Sequence, residues 1–353
     1  MDKIKAVAMT VAIALLPASQ LVAAETTGAA FLLIPASPRA YALGKTNVAP
    51  TGAQAIGTNP ANLGLLSKRF EAFSSYATIM GGAQYQHLAT AFAPSNMAAD
   101  AFGVSITRLQ VGGLQGADAS GNLTNQDFGS SDMAVALSGS GRVSSHLRVG
   151  ATAKALQSEI AGYKSKLSLA SDLGMTYTFS QRSKPISVGL SITNLGQGIK
   201  FLDQTDPLPT AVNMGLALPV GSLLAVFEIN HRIGQKTTEF GTGLEFGVGP
   251  VAFRGGYLLE DSRQNLAGRE QKGAAGLLQG LSCGFGIKAG AVSLDYAISQ
   301  QAVEFGSTHR LALTLQWGGG AKASRSAHSD DSSSSWKAAP DASDWLILPM
   351  GSY

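Results

Sequence analysis

The chain has one cysteine, Cys283, in 353 residues, which excludes an internal disulfide; in its alternating surroundings it reads as a small wall residue. Charge is scarce too, at 14% of residues, and the formal balance is only +3. Removing Asp2, Lys3 and Lys5 with the leader described below lowers it to +2. No basic cluster stands out, so nothing supports a nucleic-acid partner. The five histidines, His87, His146, His231, His309 and His328, are scattered, with neither metal-ligand spacing nor a nucleophile signature beside them. Gly241-Thr242-Gly243 and Gly247-Val248-Gly249 lie inside alternating segments rather than between a strand and a helix, so they are not phosphate loops. A hydrolase built on a strand serine would need a histidine and an acid on the same strand face, and no such set is found. These absences leave no enzyme, no cofactor and no metal site to expect.

Long apolar runs are missing as well. Residues 1–24 carry Lys3 and Lys5, an apolar run from Ala6 to Leu16, and Val22-Ala23-Ala24, the three parts of a secretory signal cleaved near Glu25. That run is too short to span a bilayer as a helix, and no later window is apolar over the roughly 18 residues a helix needs. What is plentiful is glycine, 42 of 353 residues against a usual share of about 7%, with a mean hydropathy of +0.12. In an exported chain this suits alternate side chains facing lipid and a lumen, with glycine where backbones crowd.

The pattern from Arg69 to Trp317 fits that reading. In Pro185–Gly196, Ile186, Val188, Leu190 and Ile192 share one face while Ser187, Gly189, Ser191 and Thr193 share the other. Lys166–Phe179 sets Leu167, Leu169, Leu173, Met175, Tyr177 and Phe179 against Ser168, Ala170, Asp172, Gly174 and Thr176. Ala291–Gln300 and Thr308–Trp317 alternate in the same way. About fourteen such segments follow one another, most as long as the roughly 9–11 residues of a tilted membrane strand. Met80-Gly81-Gly82 and Gly247-Val248-Gly249 read as hairpin turns, and Gly112–Phe128 as a polar solvent loop. A two-layer sandwich would also alternate, but so many long strands without helices favour closure. The expected fold is all-β, a transmembrane antiparallel β-barrel of about 14 strands.

One stretch, Gly57-Thr58-Asn59-Pro60-Ala61-Asn62-Leu63-Gly64-Leu65-Leu66, separates this region from residues that do not read as strands. Asn-Pro forms turns. The stretch reads as the end of a compact N-terminal plug, with an ordinary turn before the first strand as the alternative. The division is then 1–24 signal peptide, 25–68 plug, 69–318 barrel and 319–353 tail. Charges in the polar phase, Arg148, Lys154, Asp172, Glu228, Glu245, Arg254, Asp295 and Arg310, should face the lumen. They read either as a paired network propping the interior or as solvated pore-wall charges.

Several short motifs occur in a fixed order. They are Phe31-Leu32-Leu33-Ile34, Pro38-Arg39-Ala40-Tyr41-Ala42-Leu43-Gly44, Asn59-Pro60-Ala61-Asn62-Leu63, Asp172-Leu173-Gly174, Asn194-Leu195-Gly196 with Ile199-Lys200-Phe201, and Asp206-Pro207-Leu208-Pro209. After them come Gly243-Leu244-Glu245, Arg254-Gly255-Gly256-Tyr257, Gly284-Phe285-Gly286, Leu294-Asp295-Tyr296-Ala297 and Thr308-His309-Arg310. From about Gly28 to Trp317 this ordered series resembles the PorV/PorQ family of outer-membrane proteins, although no single motif is specific. The resemblance implies a fourteen-stranded barrel related to FadL-type transporters, with the N-terminal segment inside as a hatch and Asn59-Pro60-Ala61 in the hatch region. It also implies, for some members, a role in type IX secretion. The sequence departs from the pattern at Asn62, where glycine is commoner, and at Lys45-Thr46-Asn47.

After Trp317 the chain turns to Gly318-Gly319-Gly320, a Ser-rich segment and Asp344-Trp345-Leu346-Ile347-Leu348-Pro349, a flexible linker with an apolar end. That end reads as a docking motif for a periplasmic partner, as a segment tucked back into the lumen mouth, or as an incidental part of a disordered extension. Three functions stay open in a Gram-negative outer membrane, with lipid as the common partner. One is a barrel associated with protein export, its partners secretion-system proteins or exported cargo. Another is a passive FadL-like transporter of a small hydrophobic ligand, and the last is a structural barrel with a closed lumen.

Overall fold

The computed structural model describes residues 27–79, 82–94, 99–117, 123–179, 185–260, 280–300 and 307–320. The signal-peptide reading and nearly all of the tail lie outside them. Fourteen strands carry the architecture: β1 (Lys68–Ile79), β2 (Ala83–Phe92), β3 (Ala99–Ala117), β4 (Leu123–Arg142), β5 (Leu147–Ile160), β6 (Ser168–Phe179) and β7 (Ile186–Gly196) form the first half. The second half is β8 (Ala211–Val220), β9 (Leu223–Arg232), β10 (Thr237–Val248), β11 (Val251–Glu260), β12 (Leu281–Ala289), β13 (Val292–Gln300) and β14 (Ser307–Gly320). Each pairs antiparallel with the next, and β14 returns to β1 with Phe70 opposite Trp317 and Thr78 opposite His309. The sheet is therefore closed and has no free edge, as the alternation predicts.

The two-residue period decides what each face meets. On β6, Leu169, Leu173, Met175 and Tyr177 point outward, with Leu169 59% exposed, while Ser168, Ala170, Asp172 and Thr176 are buried inside. The same apolar exterior recurs on β4 (Met133, Val135, Leu137) and β14 (Leu311, Leu313, Leu315). An exterior of this kind is solvated by lipid, not water. Ten residues of strand extend about 33 Å and, tilted by about 40°, rise about 25 Å, the height of the apolar band. Aromatic rings gather where β1 begins: Phe70 lies 5.7 Å from Trp317 and 5.1 Å from Phe92. Because the strand count is even, β1 starts and β14 ends at this same rim.

The polar link Gly112–Phe128 is not the solvent loop expected. Leu114 pairs with Phe128, Gln115 with Asp127 and Ala117 with Leu123, so β3 and β4 run on as a hairpin beyond the apolar band. The ladder is irregular between Val111 and Leu114, where Gly113 takes a φ of +68° that a bulge of this kind tolerates only in glycine or a few polar residues. At the other end of the chain β14 continues to Gly320, since Lys68 pairs with Gly320. The glycines after Trp317 thus begin as strand rather than linker.

Residues 27–67 pack against inward-facing residues of the strands. They form 3-10 turns at Ala30–Leu33, Gly52–Ala55 and Pro60–Gly64 and a short helix α1 (Pro38–Ala42). Ser37 caps α1 by accepting from the Ala40 N–H, and Pro38 sits where no N–H is needed. The contacts go around the wall: α1 against β11–β14, Gly52–Ala55 against β1 and β2, and Pro60–Gly64 against β3–β6. Ala40, Ala42, Leu43, Ala53, Ala61 and Leu63 are completely buried. Wall glycines make this approach possible. A Cβ at Gly243 would stand 2.6 Å from Leu43 Cα, and one at Gly150 or Gly174 would collide with Pro60 or Asn59. A share of the glycine surplus is thereby explained by packing against the inner segment.

Candidate functional site

The interior is where polar chemistry collects. Asn59 caps the Pro60–Gly64 turn, its Oδ1 accepting from the Ala61 N–H at 3.1 Å. Its Nδ2 donates to the Met175 carbonyl (3.1 Å) and to Thr176 Oγ1 (3.2 Å) on β6. Thr176 in turn donates to Asn62 Oδ1 at 2.7 Å, and Asn62 Nδ2 donates to the carbonyls of Val48 and Pro50. Ser140 on β4 donates to the Ala61 carbonyl. Asn62, where the resemblance favours glycine, thus ties two parts of the inner segment together and to the wall. Pro60 supplies the fixed φ with which that turn begins.

The eight charges read as lumenal do not form one network. Glu245, Arg254 and Asp295 come together: Arg254 Nε is 2.7 Å from Glu245 Oε2, and Arg254 Nη1 is 2.5 Å from Asp295 Oδ1. The inner segment completes this group. Arg39 grips the Glu245 carboxylate with Nε at 2.7 Å and Nη2 at 2.8 Å, and donates through Nη1 to the Ala49 carbonyl. Two cations and two anions then balance, Arg254, Glu245 and Asp295 buried and the Arg39 side chain 15% exposed, and such pairing is the condition under which buried charge is tolerated. Lys154 and Asp172 form a separate pair at 2.8 Å, with Asn194 Oδ1 also accepting from Lys154 and the Asn194 N–H donating to Asp172.

The other three stand apart. Arg148 meets Asp100 at 3.2 Å, with Arg142 at 3.9 Å from the same carboxylate. Arg310 has no carboxylate partner among the described residues; it lies 3.9 Å over the Tyr41 ring and donates to the Pro35 carbonyl. Glu228 has no cation partner there either. Its Oε2 accepts the N–H groups of Asn47 (2.5 Å) and Val48 (2.9 Å).

Residue-type reasoning missed Arg39, Asp100 and Glu71. Glu71 accepts from the Ala53 N–H and from Gln316, each at 2.8 Å. Its signal was masked because Phe73, fully buried, shares its phase, so β1 turns an aromatic inward where an oily face would normally point out. Between the inner segment and the wall lies a cavity. Phe31–Ile34, Ala134 and Ala136 line part of it, and Asn213, Glu228, Asn230 and Arg232 another part. Among the described residues no cluster of three His, Cys, Asp or Glu is placed to hold a metal.

No protein-family model matches the chain, and no curated protein does. Solved structures do. The Ralstonia pickettii toluene transporter TbuX superposes with a TM-score of 0.54 at 15% identity, covering 80% of this chain and 98% of its own. The Pseudomonas putida toluene transporter TodX gives 0.54 at 13%, covering 79% and 96%. A Pseudomonas aeruginosa FadL homologue gives 0.52 at 11%, covering 79% and 98%. At such identities the likeness is one of fold: the chain is a transmembrane 14-strand barrel of the architecture these FadL-type proteins share.

Proposed function

We propose that the protein is an outer-membrane channel for small hydrophobic compounds, with residues 27–67 as its hatch. The observation that carries this reading is the partly apolar cavity between the inner segment and the wall, in a barrel sharing its fold with two toluene transporters and a FadL homologue. Residues 1–24 direct export, and the residues after Gly320 leave from the rim of short links, which in outer-membrane barrels faces the periplasm. In this reading Asn59, Pro60, Ala61 and Asn62 set the seat of the hatch, and the interior charges fix it in place. The PorV/PorQ resemblance, and with it a role in protein export, rests on the ordered motifs alone.

The test is uptake. Cells carrying the full chain in the outer membrane should take up labelled toluene faster than cells carrying an empty vector, provided the barrel runs as a heat-modifiable band. Equal rates with folded protein present would favour the closed structural barrel and sink the channel reading.

A further inference from the structure

One cation on β1 stands where the alternation does not put it. Glu71, Phe73, Ser75 and Ala77 are buried on the inner face, so Arg69, an odd position like them, should face inward too. It does not. Its guanidinium lies 5.7 Å from the centre of the Phe70 ring and 5.4 Å from that of Phe92, and both rings belong to the outward phase. The cause is in the pairing. Lys68 is opposite Gly320 but Phe70 is opposite Trp317, so Gly318 and Gly319 together face the single residue Arg69, and a bulge of this kind re-aims a side chain. Gly318 makes it possible, with a φ of +89° and a Cβ position that would stand 3.0 Å from Arg69 Cβ.

Arg69 and Lys68 are exposed, and no carboxylate among the described residues lies within ion-pair distance of either. The interior cations Arg254 and Lys154 have such partners. A guanidinium resting on aromatic rings keeps its N–H edge for an anion, and that edge matches a phosphate in geometry. Beside the rings an apolar groove crosses β2–β4 on the lipid side. Phe92, Phe102, Val104 and Leu137 line it, with Phe92 paired to Phe102 and Val104 to Leu137. Phe70 and Trp317 belong to its wall as well, so it begins at the rings that Arg69 covers.

We propose that this rim holds one anionic glycerophospholipid, its phosphate on Arg69 with Lys68 adjacent, and one acyl chain along the groove toward Leu137. Charge selects this occupant. Two exposed basic residues without an acid partner attract an anionic head at a membrane surface, and a groove walled by apolar side chains admits a hydrocarbon chain. In the orientation proposed above, the lipid belongs to the periplasmic leaflet. The site lies outside the lumen, so it holds whether or not the barrel conducts.

Trp317 reports on the site directly. The other two tryptophans are Trp336 and Trp345, so Trp336→Phe with Trp345→Phe leaves Trp317 as the sole emitter in the full chain. That chain is reconstituted in mixed bilayers of phosphatidylcholine and phosphatidylglycerol with the same acyl chains, brominated on one lipid or the other. Bromine quenches a tryptophan it touches, so quenching reads which lipid lies against Trp317. The expected result is phosphatidylglycerol enriched about fivefold there over its share of the bilayer. Arg69→Gln should bring the enrichment close to one and Arg69→Glu below one, while Lys164→Glu at the opposite rim should leave it unchanged. Equal quenching by both lipids in the parent chain, or an enrichment that survives Arg69→Gln, would overturn the inference. An enrichment lost as fully in Lys164→Glu would also overturn it, since net charge alone would then be the cause. Quenching by neither lipid would overturn it as well, and a cross-linked dimer would then name a second copy as the occupant.

Discussion

The inner segment is held to the wall in two different ways. Around α1 the attachment is ionic and complete, with Arg39, Arg254, Glu245 and Asp295 in charge balance. Around Asn47 and Val48 it consists of two backbone N–H groups on the carboxylate of Glu228, which has no cation partner among the described residues. Both carboxylates are buried to the same degree, Glu228 at 5% and Glu245 at 4% exposure. Burial alone therefore does not decide what a charge does for the fold. The number of charges left uncompensated when one is removed decides it.

The same substitution at the two sites breaks or sharpens this contrast. Glu245→Gln leaves the buried Arg254 and the partly exposed Arg39 with one aspartate between them and should cost about 3–5 kcal/mol, read as a large fall in the temperature at which the heat-modifiable band is lost. Arg39→Met removes the cation supplied by the segment but leaves the wall group Arg254–Glu245–Asp295 together; about 2–3 kcal/mol is expected in the same assay, with protease access to the segment rising more than wall stability falls. Asn62→Gly deletes three neutral hydrogen bonds and should cost about 1–2 kcal/mol, with looser protection of amides between Val48 and Asn62 in hydrogen exchange. Glu228→Gln keeps an acceptor for both N–H groups and strands no cation, so its cost should stay under about 1 kcal/mol. If Glu228→Gln destabilises as much as Glu245→Gln, the contrast is wrong.

The wall was legible in the sequence because a period of two is a local signal, and each of the fourteen alternating segments is one strand. The hairpin beyond Val111 was not legible, since Gly112 and Gly113 interrupt the alternation where the ladder bulges. Inward charges could be picked by phase, as at Asp172 and Asp295, but their partners could not. Glu245 finds Arg39 at a separation of 206 residues, a distance set by how the segment lies inside the ring and not by any spacing along it. Glu71 shows the limit of phase itself, because Phe73 beside it points inward with it.

One feature of the fold bears on how the molecule is made. Gly28 bonds to the Pro207 carbonyl and Thr27 accepts from Gln235, both on links at the rim opposite the start of β1, so the first forty or so described residues run through the ring from one mouth to the other. A ring that shut first would have to be threaded afterwards by a chain carrying Arg39 and Tyr41 past a filled interior. A seam that stays open requires no threading. The pairing of β1 with β14 joins residues as far apart as Phe70 and Trp317 and has the greatest loop to close, which on entropic grounds favours its forming late. If that seam closes last, loading precedes sealing: the segment settles on an unrolled sheet, and the sheet then curls around a part of its own chain.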